Sequence, residues 1–148
     1  MVELMEFLNQ YIDLIIFWIL GLMSFVVVAL GIERMIFFIR YKQDSYTDIT
    51  ELELDVTRNL TAIGIIGSNA PYVGLLGTVL GIIITFYSMG QSGNFETSTI
   101  MTGLSLALKA TALGIAVAIP SLVIHGFALR SAEKCISKFK KSNHGYQK

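Results

Sequence analysis

Between positions 59 and 95 the chain carries no Asp, Glu, Lys or Arg, and between 97 and 129 it carries one, Lys109. A third run, 14–32, also has none. A helix needs about 20 mostly apolar residues to cross about 30 Å of hydrocarbon, and all three stretches are long enough. They predict an all-α membrane protein with transmembrane helices at 11–39, 62–89 and 100–129. A connector at 40–61, a turn at 90–99 and a basic tail at 130–148 complete a single membrane domain over 1–148. Only 15% of the residues are charged, against about 25% in soluble domains, so no room is left for a separate soluble unit.

The first run does not read as a cleaved leader. The segment before it, "MVELMEFLNQ", holds Glu3 and Glu6 and no Lys or Arg, whereas a leader opens with positive charge and has a shorter apolar core. Orientation follows from the basic residues in short flanks. The N-terminal segment and the turn "GQSGNFETST" have none, while the connector has Arg40, Lys42 and Arg58. The tail has Arg130, Lys134, Lys138, Lys140, Lys141 and Lys148. The N-terminus is therefore expected outside and the C-terminus in the cytoplasm. Eleven basic and eleven acidic residues balance, and nothing in their placement points to nucleic acid. The single Cys135 excludes an internal disulfide. Two histidines give no metal-ligand spacing, so no metal or cofactor is expected. No nucleophile–base pair lies in the spans, so an enzyme is not expected.

The first span, with Trp18 and many bulky residues, has a lipid-facing composition. Asp13 stands at its outer boundary, and Glu33 and Arg34 near its inner end are expected to bond locally or to headgroups. In the connector, Asp48 and Glu51 have the spacing of a capping box. Ile49, Leu52, Val56 and Leu60 follow at helical spacing, which predicts a helix running straight on into the second span.

Spans two and three are built differently. Gly74, Thr78, Gly81, Thr85 and Ser88 recur in steps of four, three, four and three. Gly103, Ala107, Thr111, Gly114, Ala118, Ser121 and His125 do likewise. Such steps keep residues on one helix face. Two readings stand side by side. Small residues allow close helix packing in lipid, as in Gly77-x-x-x-Gly81. The same residues would serve as a pore face, with room for a guest helix and hydroxyls along a wet path. Neither stripe carries a carboxylate, and intramembrane proton carriers are ionisable side chains. A titrating group would have to come from another protein. His125 reads as a boundary residue. Lys109 faces away from the stripe and is expected either to snorkel to an interface or to meet an acid or carbonyl at a subunit contact. Pro71 and Pro120 each remove a backbone donor inside a helix, with nearby hydroxyls or water expected at the freed carbonyls.

"APYVGLLGTVLGI" (70–82) and "GLSLALKATALGIAVAIPSLVIHG" (103–126) resemble the signature of the ExbB/TolQ/MotA proton-channel family, and the ExbB branch most of all. The resemblance implies an inner-membrane protein of three helices in a homo-pentameric ring. Its second and third helices would line a central pore that holds an ExbD-like single-span partner, whose membrane Asp carries the proton. The ring would energise a TonB-like protein for uptake across the outer membrane. Thr78 and Thr111 stand at the family's lining threonines. Two departures are visible. Many members have Glu where this chain has Leu106, with Lys109 one turn later, and the connector is short. The alternatives are a TolQ-like subunit of an envelope-maintenance system, or a membrane scaffold with no ion pathway. A small multidrug transporter would need an intramembrane acid of its own, which the stripes lack.

Overall fold

A computed structural model describes residues 2–42, 46–93 and 96–145, with side chains described from Tyr11 to Ser142 apart from those of Asp13 and Ser92. The expectation for Asp13 lies outside the described side chains. Four helices follow one another: α1 (Val2–Arg40), α2 (Ile49–Thr57), α3 (Leu60–Ser92) and α4 (Thr97–Gly145). Three helical stretches are long and apolar enough to cross a membrane: Leu14–Arg40, Ile49–Gln91 and Thr97–Ser142.

α3 and α4 form an antiparallel pair with the most extensive contact of the fold, and α1 lies along both. One narrow seam of α1 is buried, through Ile12, Ile16, Leu20 and Val27, which recur four, four and seven residues apart on one face. Its other faces stay open, with Trp18 72% and Phe25 71% exposed. A helix that is apolar all round and packed on one side only presents the rest to lipid. Around this seam Ala70, Ile84, Ala110, Val117 and Ala118 complete the first core cluster.

The second cluster lies at the other end of the molecule. Leu52, Val56 and Leu60 pack on Ala128, Ala132 and Phe139, with Tyr41, Tyr46, Cys135 and Ile136 at the edges. This overturns one expectation and extends another. α2 does not run straight into α3. The chain breaks at Arg58 and Asn59, where Asn59 takes the left-handed conformation with φ 62°. Asparagine tolerates that region better than most residues. The Asn59 carbonyl then accepts from Ile63 N–H at 3.2 Å and the helix restarts. The apolar steps 52, 56 and 60 carry across the break, which hides it from a pattern reading. The expected tail at 130–148 starts as helix instead, because α4 continues to Gly145. Ala128, Ala132, Cys135, Ile136 and Phe139 supply a helical face that α2 covers.

The helix ends have identifiable caps. Asp48 accepts from Thr50 N–H at 3.1 Å, one residue short of the bond a capping box makes to Glu51. α3 ends at Gly93, with φ 64° and its N–H on Met89 O at 3.0 Å, the left-handed stop that glycine allows without strain. Both prolines sit inside continuous helices. The nearby hydroxyls do not go to the carbonyls that the prolines free, those of Gly67 and Ala116. Ser68 bonds Gly64 O at 2.8 Å and Ser121 bonds Val117 O at 2.6 Å. A side chain three or four residues on reaches its own preceding turn more easily.

Candidate functional site: the glycine and threonine seam between α3 and α4

The two stripes meet face to face. A Cβ built on Gly74 falls 2.6 Å from Ala110 O, and one on Gly114 falls 2.7 Å from Ala70 O. Gly77 stands against Ala110 Cβ and Ile16, and Gly81 against Ala107 Cβ at 2.9 Å. Gly103 lies against the side chain of Thr85. Without side chains of their own these glycines bring the two backbones into contact, which supplies dispersion where water is absent.

Thr78, 8% exposed, sits at the centre. Its hydroxyl is 3.0 Å from Ala107 O and 3.3 Å from Gly74 O. It is hydrogen-bonded to the Thr111 hydroxyl, which is also 3.4 Å from Gly74 O. Each hydroxyl has one proton to donate, so Thr111 donating to Thr78 and Thr78 to Ala107 O satisfies both. Threonines 33 positions apart therefore form one cross-helix pair.

The sequence-derived residues divide by depth. Gly74, Thr78, Ala107, Gly114 and Ala118 are buried, whereas Gly81, Thr85, Ser88, Gly103 and Thr111 are half-buried at the edge. Toward the α3–α4 turn the seam opens into a groove of about 470 Å³, with Thr85, Ser88, Ser98, Thr99 and Thr102 on its walls and Ile12 and Leu106 beside them. Thr85 bonds back to Gly81 O at 2.8 Å. Within the chain the two stripes therefore pack on each other, and the hydroxyl-bearing edge remains open.

Lys109 is exposed on α4, on the side away from α3, and makes no ion pair among the described residues. Thr102, Ser105, Ala112 and Ala116 are exposed with it, at steps of three and four. This second strip of small and polar residues went unnoticed in the sequence, although the same spacing test finds it.

Glu33 and Arg34, expected to bond locally or to headgroups, bond to each other and also tie the α2–α3 break. Buried Arg34, 4% exposed, reaches Asp55 O at 2.8 Å and Glu33 at 2.9 Å. Its guanidinium lies 4.6 Å from the Phe37 ring centroid. Glu33 in turn accepts from the Asn59 side chain at 2.8 Å. Adjacent residues of α1 thus hold the last turn of α2 and the first residue before α3. His125, the expected boundary residue, has Nδ1 2.9 Å from Leu60 O and stacks over Gly64. Tyr46 bonds Asp55 at 3.0 Å. Burial first, and that bond second, push its hydroxyl up to about 12, so it stays a neutral donor. Arg34→Met removes a charged hydrogen bond to a helix end, worth about 2 kcal/mol. The expected result is a lower unfolding midpoint in detergent and faster amide exchange confined to α2. Unchanged exchange in α2 would show that its packing on α4 suffices.

Chemically the seam around Thr78 and Thr111 is a line of hydroxyls and carbonyls without a carboxylate, and the one imidazole of the stripe, His125, lies at its far end beside Leu60 O. Among the described residues no three His, Cys, Asp or Glu side chains gather as a metal site.

Residues 40–141 match the MotA/TolQ/ExbB proton channel family. The chain is 52% identical over 136 residues to the biopolymer transport protein ExbB of Helicobacter pylori strain J99, covering 92% of this chain and 94% of that one. It is 47% identical over 131 residues to the ExbB of Aquifex aeolicus, covering 88% of each. With most of its length matched, the seam included, the chain belongs to the MotA/TolQ/ExbB proton channel family.

Proposed function

We infer that this protein is an ExbB-like stator subunit of a proton-driven motor in a bacterial inner membrane. Five copies form a ring, with the N-terminus outside and the C-terminus in the cytoplasm. α3 and α4 line a central path, and the open edge carrying Thr111, Thr85 and Ser88 turns toward it. An ExbD-like single-span protein inside the ring supplies the membrane Asp that takes up and releases the proton. Its movement works a TonB-like protein, which drives uptake across the outer membrane.

The observation that carries this reading is a hydroxyl seam without an acid. Thr78 and Thr111 are paired by hydrogen bonds, yet no Asp, Glu, Lys or Arg occurs from 59 to 95 and only Lys109 occurs from 97 to 129. A wall of this kind complements a carrier brought by another chain. The energy available is about 2.3 kcal/mol per proton per 100 mV. The scaffold reading has its own support, since the stripes face each other within the protomer.

Co-expression with a short single-span protein bearing a membrane Asp, followed by native mass spectrometry, tests the assembly. The expected species is an odd-membered ring holding the second chain. Monomers or dimers with no second chain would remove the stator reading.

A further inference from the structure

A groove runs between α1 and α4 at the end of the molecule where α2 packs. Its volume is about 530 Å³. Val28, Ile32, Met35 and Ile39 from α1 and Ile124 and Phe127 from α4 form its walls. It is almost wholly apolar, with two polar side chains, Arg34 and Ser131. Arg34 is 96% buried, as its 4% exposure requires, and its Nε–H has no hydrogen-bond partner. A buried donor without a partner is uncommon enough to call for one. The other two guanidinium nitrogens are taken by Asp55 O and Glu33, so Nε is the donor left over beside the groove. Past the polar end two lysines stand clear of the groove, with Glu133 exposed next to one of them. Lys134 stands one turn beyond Ser131 on α4, Lys42 follows the end of α1, and both are exposed.

The geometry points to a binding site for one anionic phospholipid. Its acyl chain lies along the apolar walls. A phosphate or ester oxygen accepts from Arg34 Nε after a small shift of the wall, and Lys42 and Lys134 balance the phosphate charge. Basic pockets between transmembrane helices on the cytoplasmic side take anionic headgroups in this way, and long lysine stems reach from apolar wall to headgroup. A second copy of the chain fits the groove less well. In the same orientation it brings its own Arg130 and Lys134 to the depth of Lys42 and Lys134, and like charges repel. The site rests on the orientation proposed above, which places this end in the inner leaflet.

The test uses the full chain in nanodiscs of phosphatidylglycerol or phosphatidylcholine, with retained lipid counted by native mass spectrometry after transfer to detergent. The expected result is about one phosphatidylglycerol kept per chain and no phosphatidylcholine. Retention should fall about tenfold or more in the Lys42→Gln/Lys134→Gln double variant, and similarly in Ser131→Phe, which fills the mouth. The double variant changes only exposed side chains, so it stays informative if Ser131→Phe does not fold. Equal retention of the two lipids, or unchanged phosphatidylglycerol in the double variant, overturns the proposal. So does disulfide cross-linking between copies of an Ile32→Cys variant in native membranes, which would put a second chain on the groove. Lipid counting does not depend on a partner protein. A chain that keeps its lipid but recruits no partner separates this inference from the stator reading.

Discussion

On the stator reading, valine at both Thr78 and Thr111 will sharply reduce proton-driven work while leaving the protein folded and its assembly intact. Valine keeps the shape of threonine and removes only the hydroxyl. The carbonyls these hydroxyls meet, Ala107 O and Gly74 O, lie within helices whose backbone bonds remain. The loss is therefore about 1 kcal/mol for each hydrogen bond, which the glycine contacts along the seam can absorb. The effect on proton movement should be far larger, because a dry apolar wall gives a proton on a partner's carboxylate nothing to bond to. Dye-reported proton influx into vesicles containing this chain and a partner of the proposed kind should fall by about tenfold or more, which corresponds to about 1.4 kcal/mol on the barrier. Native mass spectrometry of the same sample should show the assembly unchanged. Full influx in the double variant would make the hydroxyls mere packing groups and favour the scaffold reading.

The second large effect concerns folding. Gly114→Val is expected to prevent α3 and α4 from closing. Its Cβ would fall 2.7 Å from Ala70 O and 3.0 Å from Gly74 Cα. Both obstacles are backbone, so no side-chain rotation relieves the clash. Overpacking in a tight contact costs about 1–3 kcal/mol, and the clash at Gly114 involves two backbone atoms at once. The protein should be recovered in much lower yield, with a lower unfolding temperature in detergent. Gly126→Ala is the control. A Cβ there meets nothing within 4 Å, and alanine is about 1 kcal/mol better than glycine inside a helix. Equal losses in the two variants would mean that any added side chain on α4 disturbs insertion, and that the close approach at Gly114 has no special weight.

How much of this was legible in the sequence varies from element to element. The helices of α1, α3 and α4 announce themselves because charge is expelled from hydrocarbon over a known thickness. The seam is legible too, since steps of three and four report a helix face directly. What the steps do not report is which surface the face meets, and Gly74 and Gly114 serve packing or pore lining with the same spacing. The break at Asn59 is invisible to periodicity, because Leu52, Val56 and Leu60 stay in register across it. The extended ψ of 138° at Arg58 and the left-handed backbone at Asn59 mark it. The Arg34–Asp55 and Glu33–Asn59 bonds join residues 21 and 26 positions apart, and no local pattern encodes such a distance. The far half of α4 reads by its exposed lysines as a basic tail, and Ala128, Ala132 and Phe139 form a packing face on the same helix.

α4 is the longest helix of the four. It is a single helix of 49 residues, about 73 Å long at 1.5 Å per residue, and Pro120 does not interrupt it. A rod of that length behaves as a lever. A lean of about 5° about its middle carries each end through about 3 Å, nearly the width of a water molecule. A tilt of that size beside Thr111 would be felt at the far lobe, where Ala132 and Phe139 pack against α2 on the same unbroken helix.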